Sequence, residues 1–393
     1  MTLWTAIDGK MANKLSMNNE GVLMKKEKLR SGYTTGTCAA IAAKAATKMI
    51  FLDEELEWET IVTPKGVPVS VKLSHIKRQE NRVSCAVKKD AGDDPDITNG
   101  ILVYASVELT DKETMEVDGG VGVGRITKPG LTQKIGEAAI NPMPKAMIEH
   151  EVGMVLKEQG YHGGAKIIIS VPQGKEIAKK TFNPRLGIEG GISILGTSGI
   201  VEPMSQQALV DTIQTELNVR KAEGVKQLVI TPGNYGEDFI RDSLHLNLNQ
   251  AVKCSNFVGQ TIDMAVEMEF ESILLVGHIG KFVKLAAGIM NTHSHQADGR
   301  MEIFTAHAAL AGVPVEILQV LMECISADEA VKTLKESGYL DDTMERILRK
   351  VEFHLRERCH NQIPIGAVLF SNLYGILGTT GMAAELLKCN GSV

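Results

Sequence analysis

The chain has 393 residues, 44% of them hydrophobic and 23% charged, which is typical of a globular protein with about two domains. The net charge of −6 and the aromatic content of 4% argue against a broad nucleic-acid-binding face, and no apolar run is long enough for a membrane span or a secretory signal. The six cysteines are scattered without a C-x-x-C pair, which predicts reduced thiols in a cytoplasmic protein, with neither a disulfide framework nor a structural zinc site.

The first part of the chain predicts an N-terminal α+β domain over residues 29–160, preceded by a disordered extension at residues 1–28. Residues 31–37 (SGYTTGT) form a loop rich in hydroxyl groups and glycine, and an alanine-rich helix follows. Free N–H groups at the start of a helix suit anions, so this loop is a candidate ligand site, with simple N-capping as the alternative. Its candidate ligands are Thr34, Thr35 and Thr37. Alternating apolar and polar residues then predict half-buried antiparallel strands.

Two loops of this region carry charge. Residues 90–96 (DAGDDPD) hold four carboxylates, which suit either a hard cation or an exposed turn. Their spacing does not match an EF-hand, and we predict no protein-bound metal. Residues 118–130 hold five glycines together with Arg125 and Lys128, which favours carboxylate binding over a plain glycine-rich turn.

From Gly163 onward the pattern changes to strand, turn and helix. Apolar runs at 165–171, 191–195, 227–230 and 272–276 alternate with helical segments, which predicts a parallel sheet covered on both faces and a Rossmann-like α/β domain over residues 161–330. Residues 331–393 predict a helical segment and a C-terminal strand that packs back on the core. There is no Walker A motif, which disfavours ATP binding in that mode.

The turns after these strands should meet at one edge of the sheet, where open α/β sheets bind their ligands. A nucleoside with hydroxyl groups would fit this edge. Glu237 could accept a hydrogen bond from a ribose, although a helix N-terminal carboxylate that complements the macrodipole is an equal alternative. The candidate cofactor ligands are Gly196, Thr197, Ser198, Gly199, Gly233, Asn234, Glu237, Gly277 and Gly280.

Three histidines are candidate catalytic residues. His278 ends a strand inside a glycine-flanked turn, and His293 and His295 lie in a polar loop one helix later. Histidine can donate or accept a proton near neutral pH. The His293–His295 pair lacks a nearby cysteine or glutamate as a third ligand, which disfavours a zinc site.

Five segments together resemble the cobalt-precorrin-5B C1-methyltransferase family. They are residues 31–40 (SGYTTGTCAA), 117–124 (VDGGVGVG), 196–203 (GTSGIVEP), 233–236 (GNYG) and 277–281 (GHIGK). The resemblance runs in register from about residue 29 to the C-terminus. It implies methylation of C1 of cobalt-precorrin-5B by S-adenosylmethionine, giving cobalt-precorrin-6A in anaerobic cobalamin biosynthesis. The cobalt then belongs to the substrate.

Given this resemblance, we expect each domain to bind a different reactant. The α+β domain would bind the corrinoid, and the Rossmann-like domain would bind S-adenosylmethionine. The substrate's carboxylates would need cations and amides, for which Arg125, Lys128, Lys281 and the threonine loop are candidates. The alternatives are a non-catalytic corrinoid-binding protein or another nucleotide-cofactor enzyme of tetrapyrrole metabolism. We expect no nucleic-acid or membrane partner, and the sequence leaves homo-oligomerisation open.

Overall fold

The computed structural model describes residues 15–17, 23–25, 29–52, 54–244 and 251–390. The expected extension at residues 1–28 lies outside this part of the chain, except for the strands β1 (Leu15–Met17) and β2 (Leu23–Lys25), which pair antiparallel. The chain forms two compact units. The first comprises Met1–Arg125, Gly136–Pro184 and Ile188–Met204, and the second comprises Ile126–Ile135, Arg185–Gly187 and Ser205–Val393.

The first unit contains most of the strands. In chain order its elements are β3 (Gly32–Tyr33), α1 (Thr35–Phe51), β4 (Trp58–Val62), β5 (Pro68–Gln79), β6 (Arg82–Lys88), β7 (Leu102–Thr110), β8 (Met115–Gly119), β9 (Arg125–Ile126, at the unit boundary), α2 (Pro142–Glu158), β10 (Gly164–Ser170), α3 (Gly174–Ala178), β11 (Ile188–Glu189) and β12 (Ile200–Val201).

Six of these strands form one sheet in the order β4-β5-β6-β7-β10-β8. All neighbours are antiparallel except β10 and β8, which are parallel. Helices α1 and α2 pack against each other, and α1 also packs on β6 and β7. Helix α1 begins after Thr34, whose Oγ1 accepts the N–H of Thr37, and its alanines are fully buried. Such small side chains let a second helix approach closely, which explains the α1–α2 pairing.

The expected assignment of residues 165–171 to the parallel sheet differs from the structure. These residues form β10, which lies between β7 and β8 in the sheet of the first unit. Residues 191–195 form no strand and make only isolated bridges at Ile192 and Ile194. The boundary expected at residue 160 therefore does not coincide with the compact units, because the first unit continues to Met204.

The second unit alternates strands and helices. Its elements are α4 (Gln206–Ala222), β13 (Gln227–Thr231), α5 (Asn234–Asp242), β14 (Ala251–Lys253), α6 (Val258–Glu267), β15 (Ser272–His278), α7 (Ile279–Phe282), α8 (Arg300–Leu310), α9 (Val315–Glu323), α10 (Ala327–Glu336), α11 (Leu340–Arg358), β16 (Ile365–Ser371), β17 (Gly375–Thr379) and α12 (Ala383–Asn390).

These strands form a sheet in the order β14-β13-β15-β16-β17, in which only β17 runs antiparallel to its neighbour. Both faces of the sheet are covered. Leu228 and Leu275 pack in the larger core with α6 and α8–α11, whereas Val229 and Leu274 pack with α5 and α12. The predicted strands at 227–230 and 272–276 are confirmed. The predicted C-terminal strand is β16, a fully buried interior strand of this sheet.

Within the described part of the chain, no helix is long and apolar enough to cross a membrane.

Candidate active site at the carboxyl edge of the parallel sheet

The strand order of the second unit reverses at β13. After β13 the chain adds β14 on one side, and after β14 it adds β15 on the other side of β13. In open α/β sheets, ligands bind outside the carboxyl ends of the strands at such a switch point. One flanking turn follows Thr231 and contains the predicted residues Gly233 and Asn234. The other follows His278 and contains the predicted Gly280, whereas the predicted Gly277 lies within β15.

The turn after β13 is closely packed at Gly236 and open at Gly233. A Cβ at Gly236 would lie 1.7 Å from Thr231 Oγ1, so this position must be glycine. A Cβ at Gly233 would meet no atom within 4 Å, which shows free space beside the turn. Helix α5 starts directly after Gly233, so its first N–H groups lie at this turn. These features suit a ligand that approaches the backbone closely.

Glu237 is held by cations of its own unit. Its carboxylate forms ion pairs with Arg185 and with Lys253, the latter at 2.6 Å, and Lys253 Nζ also donates to Asn234 Oδ1 at 2.8 Å. Burial raises the pKa of Glu237, but the hydrogen bonds from Lys253 and Arg185 outweigh it and lower the pKa below its usual value. Glu237 is therefore an ionised acceptor, and its ribose contact stays a prediction.

His278 ends β15 and caps the short helix α7. Its Nδ1 accepts the N–H of Gly280 at 3.2 Å, which leaves the proton of the neutral ring on Nε2. Nε2 faces Asp328 Oδ2 at 3.5 Å, and the ring packs edge-on against Phe370. Burial lowers the pKa of His278, and Asp328 opposes this only in part. The ring is thus neutral near pH 7 and presents an N–H donor.

Asp328 is fixed by the end of the neighbouring strand. Ser371, the last residue of β16, donates its hydroxyl to Asp328 Oδ1 at 2.6 Å. Ser371 Oγ in turn accepts the N–H groups of Leu373 and Tyr374 at 3.1 and 3.3 Å. The sequence reading did not select Asp328 or Ser371, although a polar residue at the carboxyl end of a parallel strand was a signal that could have found Ser371.

A cavity of about 450 Å³ is lined in part by Gly280 and Lys281, which follow His278 in the sequence, and we name it the basic cavity. It is lined by Asn256, Gly280, Lys281, Lys284, Thr292, His293, Ser294 and Arg300. Asn256 follows β14 and Gly280 follows β15, so the cavity belongs to the same carboxyl edge. Three cationic side chains in one cavity suit an anionic ligand. Of the lining residues, the sequence pattern predicted Gly280, Lys281 and His293 as site residues, but not Lys284 or Arg300.

His293 and His295 form a local pair. His293 Nδ1 accepts the N–H of His295 at 3.1 Å, and the two ring centroids lie 5.0 Å apart. Among the described residues, no group of three or more His, Cys, Asp or Glu side chains is arranged to hold a metal ion. Both side chains are exposed, and His293 lines the basic cavity whereas His295 does not. Their catalytic role stays a prediction.

The glycine turn at 196–199 does not follow a strand of the parallel sheet. It lies in the first unit, where it packs on the start of α1. Gly199 O accepts the Thr34 N–H and the Thr37 hydroxyl, the latter at 2.7 Å. A Cβ at Gly196 would lie 2.3 Å from Thr34 Oγ1. The expected placement of Gly196, Thr197, Ser198 and Gly199 at the edge of the parallel sheet is therefore wrong.

The threonine loop, residues 31–37, forms hydrogen bonds with the segment that precedes and includes this glycine turn. Thr35 Oγ1 accepts the N–H of Leu195 at 3.0 Å, and the Gly36 N–H donates to Leu195 O. Thr34, Thr35 and Thr37 are all buried. N-capping, the alternative for this loop, is observed at Thr34. The hydroxyls thus join two loops of the first unit, and their contact with substrate stays a prediction.

Two predicted substrate cations also have partners within the protein. Arg125 forms a bidentate pair with Asp118 at 2.7 and 3.0 Å and donates to Gly119 O. Lys128 pairs with Glu223 at 2.7 Å. The carboxylate that Arg125 binds is the protein's own, and contact of Arg125 or Lys128 with a substrate carboxylate stays a prediction.

The glycines of residues 119–124 fit close packing within the first unit. A Cβ at Gly120 would lie 2.3 Å from Ser170 Oγ, and one at Gly122 would lie 1.8 Å from Val171 O. The acidic loop is similarly satisfied, since Asp90 pairs with Arg30, and Asp96 pairs with the buried Lys89. These segments contribute packing and ion pairs that the sequence pattern could not separate from ligand binding.

Comparison with known proteins gives a consistent result. The CbiD family model matches residues 22–203, and the model of the CbiD C-terminal domain matches residues 291–381. A protein of Ruminiclostridium cellulolyticum named cobalt-precorrin-5B C(1)-methyltransferase is 47% identical over 94% of this chain and 98% of its own length. One of the same name from Alkaliphilus metalliredigens is 45% identical over 93% and 96%.

Among solved structures, the crystal structure of the cobalamin biosynthesis protein cbiD from Archaeoglobus fulgidus is 30% identical, covers 70% of this chain and 86% of that chain, and has a TM-score of 0.37. The family models and the near full-length relatives agree with each other. The chain therefore belongs to the CbiD family.

Proposed function

We propose that this chain transfers a methyl group from S-adenosylmethionine to C1 of cobalt-precorrin-5B, giving cobalt-precorrin-6A in anaerobic cobalamin biosynthesis. The observation that carries the proposal is the similarity to proteins of that name. Identities of 45–47% extend over more than nine-tenths of both chains in the two relatives described above. Substrate and reaction are rarely exchanged between proteins that align over their whole length at this identity.

We place the methyl donor in the second unit, which we interpret as a Rossmann-like domain. The turn at Gly233 and Asn234 and the turn from His278 to Gly280 flank the switch point of the parallel sheet. The free space beside Gly233 and the start of α5 support this placement, because a nucleoside with a zwitterionic tail needs close backbone contacts and N–H donors. Binding of the corrinoid by the first unit stays a proposal, supported by the three family-like segments that it contains.

Methyl transfer from a sulfonium needs no covalent bond between the protein and the reactants. A sulfonium supplies its methyl group directly, so the protein contributes alignment of donor and acceptor and control of the proton that the methylated ring must lose. Methyl transfer moves the positive charge of the sulfonium onto the ring as the donor leaves as a neutral thioether, and release of one proton to an acceptor restores the ring's original charge. His278 offers an N–H at Nε2, and the neighbouring Asp328 is a carboxylate held in place by Ser371. This pair can orient a substrate and receive a proton.

The test is a reaction with purified protein, cobalt-precorrin-5B and S-adenosylmethionine carrying an isotopically labelled methyl group. We expect one labelled methyl per corrinoid, located at C1 by NMR, together with S-adenosylhomocysteine. Mixtures lacking either the protein or the corrinoid serve as controls. A protein that binds the corrinoid but consumes no S-adenosylmethionine would be a carrier, and the proposal would then be wrong.

A further inference from the structure

The basic cavity contains two cations that are already committed to the protein. Lys284 is almost fully buried, and its Nζ donates to Thr292 O at 3.2 Å and to Ala297 O at 2.8 Å. Arg300 forms a bidentate pair with Asp298 at 2.6 and 2.8 Å. These contacts fix the loop that forms one wall of the cavity. Asp298 pairs with both Lys284 and Arg300, whereas the cavity has a third cation in Lys281, so the cavity keeps an excess of positive charge.

Lys281 differs from these two residues. Within the described part of the chain, its ammonium group forms no hydrogen bond or ion pair, although most of the side chain is shielded from solvent. Burial lowers the pKa of Lys281; Cys254 opposes this, Lys284 acts in the same direction as burial, and the pKa stays below its usual value. A half-buried ammonium without a partner is costly, and an anionic ligand in the cavity would remove that cost.

A polar donor stands near the same space. Asn256 lines the cavity, and its Oδ1 accepts the hydroxyl of Thr292 at 3.3 Å, which leaves the Asn256 NH2 group without a partner among the described residues. An ammonium and an amide NH2 group are together the donors that a carboxylate requires. The space of about 450 Å³ exceeds what one carboxylate needs, so the group it belongs to can also enter.

We propose that Lys281 and Asn256 bind a carboxylate group in the basic cavity. The inference rests on the proposed function, which supplies two sources of this chemistry. One is the methionyl carboxylate of the methyl donor, and the other is a peripheral acetate or propionate of the corrinoid. Lys284 and Arg300 hold the wall of the cavity and add positive potential, and Lys281 supplies the direct ionic contact.

The experiment compares wild-type protein with the Lys281→Met variant, which keeps most of the side-chain volume and removes the charge. Calorimetry measures binding of S-adenosylhomocysteine and of 5′-methylthioadenosine, which lacks the amino-acid tail and hence the carboxylate. Steady-state kinetics measures KM for cobalt-precorrin-5B. We expect a tenfold to hundredfold loss, about the size associated with a charged hydrogen bond, in one of these quantities.

The ligand that responds identifies the source of the carboxylate. Weaker binding of S-adenosylhomocysteine with unchanged binding of 5′-methylthioadenosine would identify the donor's carboxylate. Unchanged binding of both, with a raised KM for the corrinoid and the same kcat, would identify a substrate carboxylate. Equal weakening of both nucleosides would overturn the inference, since the adenosine part would then be affected. No change in any quantity would overturn it as well.

Two further variants keep the result interpretable. Lys281→Arg retains a cation and should recover most of the lost affinity. Lys332→Met removes an exposed cation of α10 that pairs with Glu336 on the same helix, and it should behave as wild type. Failure of the proposed function looks different, because wild-type protein would then not methylate the corrinoid, whereas the wild type stays active when only this inference fails.

Discussion

His278 uses its two ring nitrogens for separate purposes. Nδ1 accepts the Gly280 N–H at the start of α7, which is a capping role that stabilises the turn. Nε2 carries the proton and faces Asp328 at 3.5 Å. A proton acceptor would have to use Nδ1, which is occupied, so the geometry favours His278 as a donor and Asp328 as the acceptor of the pair. The sequence identifies the histidine but does not show which of its ring nitrogens carries the proton.

Replacing His278 by two different residues separates these purposes. In His278→Ala both are lost, and we expect turnover to fall by about 10²–10⁴ and the free energy of unfolding to fall by about 1 kcal/mol. In His278→Asn the side-chain oxygen can still accept the Gly280 N–H, so stability should return while turnover stays low. Steady-state methylation kinetics and urea unfolding measure the two effects. Wild-type turnover in His278→Asn would mean that only the cap matters.

The pKa of His278 also gives an expected pH dependence. Burial lowers this pKa, so the ring stays neutral to a lower pH than an ordinary histidine does. An activity that depends on the neutral ring is therefore retained below the usual histidine range and lost as the pH falls through the lowered pKa.

Buried threonines show the limit of the sequence at this scale. The pattern of residues 31–37 correctly indicated a hydroxyl-rich helix start, and Thr34 is indeed the N-cap of α1. Which partner each hydroxyl meets depends on residues about 160 positions away, such as Leu195 and Gly199. No local pattern contains that information.

At the scale of elements, the sequence predicts that a segment is a buried strand more reliably than it predicts which strands pair with it. Apolar runs identified β13, β15 and β10 as strands, and all three are. A continuous apolar run does not reveal whether the strand pairs parallel or antiparallel. Consequently β10, whose Ile167 and Ile169 point into the core of the first unit, was expected in the wrong sheet. The glycine turn at 196–199 was expected after a strand at 191–195, but those residues make only isolated bridges and join no sheet.

An ion-pair network joins α4, α5 and β14 in the second unit. Arg185 donates to Glu216 at 2.8 Å, pairs with Glu237, and donates to Ala251 O at 3.1 Å. The Glu216 side chain is only 2% exposed and also accepts the Lys253 N–H. Removing one partner of such a pair leaves an uncompensated buried charge, whose cost exceeds the value of the pair itself.

We therefore expect Arg185→Ala to lower the free energy of unfolding by about 2–4 kcal/mol. The double variant Arg185→Ala/Glu216→Gln should recover about 1 kcal/mol or more, because it removes the unpaired charge. Urea unfolding followed by circular dichroism measures both. Arg349→Ala is the control, since its pair with Glu345 is exposed and contributes about 0.5 kcal/mol at most. Equal effects of Arg185→Ala and Arg349→Ala would contradict the network's importance.

The net charge of the whole chain and the charge of the basic cavity have opposite signs. The net charge is −6, whereas the basic cavity holds three cations and one neighbouring carboxylate. A corrinoid with several carboxylates is repelled at long range, and the proposed ionic contact in the basic cavity, where the carboxylate comes from the corrinoid, attracts only at short range. Screening affects the long-range part most, because the Debye length falls from about 30 Å to about 10 Å between 0.01 and 0.1 M salt.

This opposition predicts an unusual salt dependence of substrate binding. Between about 0.01 and 0.1 M salt, the association rate constant for cobalt-precorrin-5B should rise, because screening weakens the repulsion between two anions. The dissociation rate constant should rise too where a corrinoid carboxylate occupies the basic cavity, because salt weakens that ionic contact. Stopped-flow absorbance of the corrinoid measures both. Lys281→Met makes the protein more negative and should keep the same direction for association. Association that slows with added salt would instead mean that the cavity's field already governs the approach of the substrate.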